Sequence, residues 1–254
     1  MPAVLEAPKR LVVLGASNVE LALPQLLDEA RGRLGAPLEV LAAFGPGRSY
    51  GLTSRVLGRG IPGILECGLW PALGDGGARE RTLALVLDIG NDLLYGADVD
   101  TLTGWVRACV ERLEPHAERI VLGGLPAGLE RLSRGRYLLF RNLFYPPCRL
   151  PFAGAQAGVR ELGPRLDALA SDRGLALVPT APEWYGFDPI HVRRRFRRPF
   201  WQGLLGGQVL PCPIPRASGV LRLLAPERRT WLGFEQRRRQ PAGRLADGTT
   251  LAFY

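Results

Sequence analysis

Two patterns of hydrophobic positions alternate along the chain. Short unbroken apolar runs occur at "RLVVLG" (10–15), "LEVLAAF" (38–44), "LALVLDIG" (83–90), "RIVLGG" (119–124) and "LALVP" (175–179). Continuous runs of strand length fit strands buried on both faces of a parallel sheet, whereas a strand with one wet face would alternate. Between them lie longer segments with apolar residues three and four apart: "VELALPQLLDEARGRL" (19–34), "VDTLTGWVRACVERLEPH" (99–116) and "AGVRELGPRLDALASDRG" (157–174). These read as amphipathic helices, the last stopped by Arg173-Gly174. Strands alternating with helices predict an α/β fold, a three-layer α/β/α sandwich around a mainly parallel five-stranded sheet.

Two regions depart from this alternation. Residues 127–153 form a long connection rich in aromatic residues and arginine, and a connection of that length is usually functional or carries a small helix. Its stretch "YLLFRNLFYPPCRLPF" (137–152) reads either as a lid over a substrate or as a surface for the tail. From about residue 206 helical periodicity is lost and prolines are frequent, while Asp247-Gly248 between short apolar runs predicts a terminal hairpin. The chain is therefore divided into a domain over 1–205 and a C-terminal extension over 206–254 packed on it.

Composition narrows the class. With 254 residues, 46% hydrophobic and 22% charged, the chain has ordinary globular proportions. No apolar run is long enough to span a bilayer. The start, "MPAVLEAPKR", lacks the pattern of a secretory signal, so a cytoplasmic protein is expected. Cys67, Cys109, Cys148 and Cys212 are dispersed without a C-x-x-C pair, which predicts reduced thiols and neither a disulfide framework nor a zinc site. The formal charge of +9 raises the question of nucleic acid. Yet Lys9 is the only lysine, and the arginines are spread along the chain, with clusters at "HVRRRFRRPFW" (191–201) and "EQRRRQ". A solvated face is the plainer reading of both clusters. The alternative is an anion-attracting rim at Arg194 and Arg195, for a substrate carrying carboxylate or phosphate. No nucleic-acid recognition motif is present, so that partner is disfavoured.

Candidate chemistry is confined by there being two histidines. His116, in "ERLEPHAERI", sits at a helix end and reads as an exposed cap or dipole partner. His191, in "YGFDPIHVR", follows the last strand and has Asp188 three residues before it, a spacing that lets a carboxylate fix the imidazole tautomer. Ser17 and Asn18 lie where the first strand hands over to a helix, a place for either as an N-cap or for the Ser17 hydroxyl as a reactive group. "FGPGRSYG" follows the second strand, with Gly45, Gly47 and Gly51 able to expose backbone N–H groups. Asn91-Asp92 follows the third, as turn caps or as an oxyanion donor. In a parallel sheet all these loops converge on the carboxyl edge.

Ser, Gly, Asn and Asp-x-x-His in this order resemble the SGNH hydrolases, the GDSL esterase/lipase family, over roughly residues 9–205. The resemblance implies a flavodoxin-like sandwich and hydrolysis of a carboxylic ester through an acyl-enzyme. Ser17 would be the nucleophile, His191 the base and Asp188 its orienting acid. The backbone N–H of Ser17 and Gly47 and the Asn91 side chain would form the oxyanion hole. It implies no metal or organic cofactor, and a small-molecule ester, possibly anionic, as partner. Gly15-Ala16-Ser17-Asn18 replaces the family's usual Gly-Asp-Ser, and Gly90 directly precedes Asn91 where the family often has Gly-x-Asn-Asp. Acyl transfer to an acceptor other than water uses the same residues, and a non-catalytic protein that binds an anion or nucleic acid is the remaining alternative.

Overall fold

A computed structural model describes residues 9–56, 58–74, 82–206, 221 and 225–254. All five expected strands are present: β1 (Lys9–Leu14), β2 (Leu38–Ala43), β5 (Thr82–Val86), β6 (Arg119–Gly123) and β7 (Ala176–Val178). They are parallel and ordered β2-β1-β5-β6-β7. The buried runs explain the order. Val12 and Leu14 of β1 join the core on one face of the sheet, and Leu11 and Val13 join the core on the other. Helices α4 (Val99–Leu113) and α6 (Phe152–Arg173) cover the first face through Leu102, Val106, Val110, Leu162, Leu166 and Leu169. Helices α1 (Ser17–Leu34) and α7 (Arg197–Leu205) cover the second through Leu23, Leu26, Leu27, Phe200, Trp201 and Leu204. The helix over 157–174 ends as expected, with Gly174 in the left-handed region at φ 63°.

The sheet has seven strands rather than five. The terminal segment supplies β10 (Gly243–Arg244) and β11 (Thr250–Phe253), an antiparallel hairpin whose second strand runs parallel to β2, with Leu251 opposite Val40. β2 is buried on both faces, and without β11 its outer edge would leave backbone groups unpaired in an apolar setting. Leu251 and Phe253 enter one core and Ala252 and Tyr254 the other, so these four residues are packed like an interior strand. A second sheet forms from β3 (Ser54–Val56), β4 (Arg59–Ile61), β8 (Arg228–Trp231) and β9 (Phe234–Arg237), in the order β3-β4-β8-β9. The rest of the tail, 207–220 and 222–224, lies outside the described residues, as does Cys212. Cys67, Cys109 and Cys148 are free and buried.

The topology fixes where a site can form. From β1 the chain crosses to β2 on one side, then returns to β5 on the other. The carboxyl ends of β1 and β5 thus border the switch point, where open α/β sheets leave a crevice. Ser17 follows β1 and Asn91 follows β5, so both stand at that crevice. His116 follows α4 at the opposite, amino edge, half-buried, with no partner for its Nδ1 among the described residues. Among the described residues no helix is long and apolar enough to cross a membrane.

Candidate active site

At the end of β1 the backbone passes directly into α1. Gly15 is required there, because a Cβ would lie 2.6 Å from Val19 Cγ2. Ala16 occupies the N-cap position and has no side chain with which to cap. The carboxylate of Asp88, just past β5, does it from across the crevice. Its Oδ2 accepts from the backbone N–H of Ala16 at 2.8 Å and of Asn18 at 3.1 Å. A carboxylate at a helix N-terminus satisfies orphan N–H groups and opposes the helix dipole. Asp88 takes the amides on either side and leaves that of Ser17 without an acceptor among the described residues. The Ser17 hydroxyl makes no capping bond either.

That hydroxyl instead meets His191. Ser17 Oγ is 2.7 Å from His191 Nε2, and His191 Nδ1 is 2.6 Å from Asp188 Oδ2. A neutral ring that donates from Nδ1 to the carboxylate presents its Nε2 lone pair to the serine. The other oxygen of Asp188 accepts from the backbone N–H of Ile190 at 3.0 Å and of His191 at 3.1 Å. The same carboxylate therefore shapes the turn and holds the ring. Burial pushes the Asp188 carboxyl up, but the hydrogen bond and charge of His191 and the two backbone N–H groups outweigh it and hold its pKa below the ordinary value.

Asn18 fastens the histidine loop to the serine helix. Its Nδ2 donates to Asp88 Oδ1 at 2.8 Å and to the Ile190 carbonyl at 2.9 Å, and its Oδ1 accepts from Val192 N–H at 2.9 Å. The residue after Ser17 thus ties three loops together. Sequence reasoning treated Asn18 only as a possible cap and passed over Asp88. The available signal was a polar residue beside each candidate, but their partners lie about 70 and 170 positions away.

Asn91 opens the short helix α3 (Asn91–Leu94) on the wall of the same cavity as Ser17. Its neighbour Asp92 is wholly buried and holds the loop after β2. Asp92 Oδ1 accepts from Ser49 Oγ and, at 3.0 Å, from Tyr50 N–H, while Oδ2 has no partner among the described residues. Burial raises its pKa to about 6, against the lowering effect of those hydrogen bonds. The adjacent Arg48 is also buried, donating to the carbonyl oxygens of Pro62, Phe44 and Tyr254. Gly47 has φ +60°, and a Cβ there would lie 2.7 Å from the Tyr145 hydroxyl. It packs behind Tyr145, which lines the cavity, and is not itself on the wall.

The cavity has a volume of about 260 Å³. One end carries Ser17, Asp88 and Asn91, and most of the remaining wall is apolar, including Leu93, Leu125, Leu129, Phe140, Phe144 and Ile190. Much of this wall comes from the long connection, which does contain a helix, α5 (Arg134–Phe144), capped by Ser133. The region 137–152 thus covers the cavity. Arg194 and Arg195 do not line it. They stand exposed on a turn that leads into α7 on the far face of the sheet, with Arg195 over the Phe196 ring at 4.7 Å. Proximity to His191 in sequence is not proximity to the cavity, whose arginines are Arg141 and Arg160. Among the described residues no cluster of His, Cys, Asp and Glu could hold a metal ion.

No protein-family model matches this sequence, and no curated protein matches it. Solved structures do match. An inhibitor-bound aryl esterase of M. smegmatis is 14% identical with a TM-score of 0.53, over 77% of this chain and 96% of that one. An α/β hydrolase enzyme from the metagenome of Lake Arreo, Spain, is 12% identical with a TM-score of 0.50, over 78% of this chain and 94% of that one. A member of the lipolytic protein G-D-S-L family from Veillonella parvula DSM 2008 is 12% identical with a TM-score of 0.46, over 77% and 96%. At such identities what is shared is the fold, a three-layer α/β/α sandwich of the kind expected from the sequence.

Proposed function

We propose that this protein is a serine esterase of the SGNH type, hydrolysing a carboxylic ester by acyl transfer through Ser17. The observation that carries the proposal is the unbroken relay from Ser17 through His191 to Asp188, with bonds of 2.7 and 2.6 Å, at the wall of an apolar cavity. As the hydroxyl attacks the ester carbonyl, His191 Nε2 takes its proton, and Asp188 stabilises the imidazolium that results. His191 returns the proton to the leaving alcohol. Water, activated by the same imidazole, then releases the acid and restores the serine. The developing oxyanion is met by the unoccupied N–H of Ser17 and by the Asn91 amide, and the Gly47 N–H is the third donor in the family pattern that the sequence resembles.

The cavity is small beside the roughly 300–1,000 Å³ of typical ligand pockets, which suits one modest apolar acyl or aryl group. The M. smegmatis protein that shares this fold is an aryl esterase, consistent with a small-molecule ester here. Kinetics on a soluble aryl ester test the proposal. Ser17→Ala should lose activity by at least about a thousandfold, and Asn91→Ala by about a hundred- to a thousandfold in kcat with little change in KM. Near-normal turnover of either variant contradicts it.

A further inference from the structure

We propose that the β8–β9 hairpin is a membrane-docking element that inserts its tip into a bilayer rich in anionic lipid. The inference is independent of the catalytic reading. Trp231 and Phe234 are paired across the end of the hairpin, joined by the two-residue turn Leu232-Gly233. Leu232 is 68% exposed and Phe234 75%, the highest values among large apolar side chains of the described residues, and Trp231 is 39% exposed. Packing at this apex is slight, with Leu232 Cδ2 resting over Gly58 and the Arg59 guanidinium over the Trp231 ring at 5.2 Å, and conformation disfavours a leucine here. Its φ is +48° and that of Gly233 +90°, the pattern of a turn that favours Asn-Gly and disfavours a bulky side chain at its first position. The backbone N–H of Leu232 donates to the Gly58 carbonyl at 2.9 Å, so the turn is pinned while its side chain faces solvent.

Behind the apolar tip the hairpin is basic. Residues 228–239 carry five arginines and one glutamate. Arg228 and Arg237 lie directly opposite each other across the strands and are both exposed, a like-charge pair that costs the isolated hairpin stability. Glu235 is engaged by Arg237 at 2.9 Å, and no carboxylate among the described residues pairs with Arg228, Arg238 or Arg239. An external anion relieves this repulsion. Arg228 precedes Trp231 by three residues, about 10 Å along a strand. That separation places apolar side chains below the headgroups, the indole at the interface and the guanidinium groups among the phosphates. A nucleic-acid strand has use for the arginines and aromatic faces but none for an exposed leucine at the apex. A second copy of the hairpin would bring arginine against arginine.

The test is co-sedimentation of the full chain with vesicles of phosphatidylcholine alone and with a quarter phosphatidylglycerol. Binding is expected only to the anionic vesicles. Leu232→Asn should weaken it at least about tenfold while leaving thermal stability equal or higher, since it suits the turn better. Arg228→Glu should pair with Arg237, keep or raise stability, and reduce anionic binding at least about tenfold. Failure to bind anionic vesicles overturns the proposal, as does binding that both variants retain in full. Hairpin-dependent binding of a single-stranded oligonucleotide or hairpin-dependent self-association, in either case without vesicle binding, overturns it equally.

Discussion

At the scale of single residues, the arrangement depends on carboxylates and amides that do more than one thing. Asp188 turns the chain and orients the imidazole. Asp88 caps α1 from another strand's loop and so leaves the Ser17 hydroxyl to bond His191 and the Ser17 N–H without an acceptor among the described residues. Asn18 joins that carboxylate to the backbone of Ile190 and Val192, and the distance between serine and histidine depends on it. Asn18→Ala should therefore lower kcat by about ten- to a hundredfold with KM nearly unchanged, since a misplacement of about 1 Å costs that much. Measuring kcat well below the melting temperature separates this from loss of fold, and a value within twofold of wild type refutes the positioning role. Ser17, Asp188 and His191 were legible because Asp-x-x-His is a local pattern and a serine at a strand-to-helix junction is conspicuous. The Asp88–Asn18 clamp was not, because its bonds span distances in sequence over which one chain gives no pairing information.

At the scale of elements, legibility followed burial. The strands of the parallel core declare themselves through continuous apolar runs, and α4 and α6 through their spacing. β3, β4, β8 and β9 do not: "SRV", "RGI", "RRTW" and "FEQR" are short and rich in arginine, and they are strands only because they pair with one another. Helix α5 was foreseeable as a small helix in a long connection, but its place over the cavity was not. The link between the loop after β2 and α3 is Asp92, and burial raises its carboxyl pKa from the ordinary 3.8 to about 6 on folding. The folded state then holds the proton more tightly than the unfolded one. Its contribution is complete below about pH 4 and is lost as pH rises through about 6. Replacing Asp92 with Asn removes this dependence. Denaturant unfolding between pH 4 and 7 should show a decline of a few kcal/mol in the wild type that is absent from Asp92→Asn; equal slopes for the two proteins contradict the assignment.

At the scale of the molecule, the residues after 225 are bound into both sheets. The hairpin of Asp247-Gly248 was readable from its turn, but its parallel pairing with β2 was not, since four residues carry no mark of which edge they will join. We propose that the region 206–254 is an extension of the one domain rather than an independent unit, because β11 completes the main sheet and β8 extends the smaller one. Phe253 packs edge-on against Phe44, with centroids 5.1 Å apart, and is buried. Phe253→Ala should cost about 3–5 kcal/mol and lower the single melting transition by about 6–20 °C. A separate early transition for the tail, with the main one unmoved, would show the extension to be energetically independent.

The most direct test of the central claim is reaction with a fluorophosphonate followed by peptide mass spectrometry, which needs no knowledge of the natural ester. A hydroxyl activated by His191 should carry the phosphonyl group on Ser17 alone, with labelling abolished in Ser17→Ala and slowed at least about a hundredfold in His191→Ala. An unlabelled Ser17 in the folded protein, or labelling as fast without His191 as with it, contradicts the account.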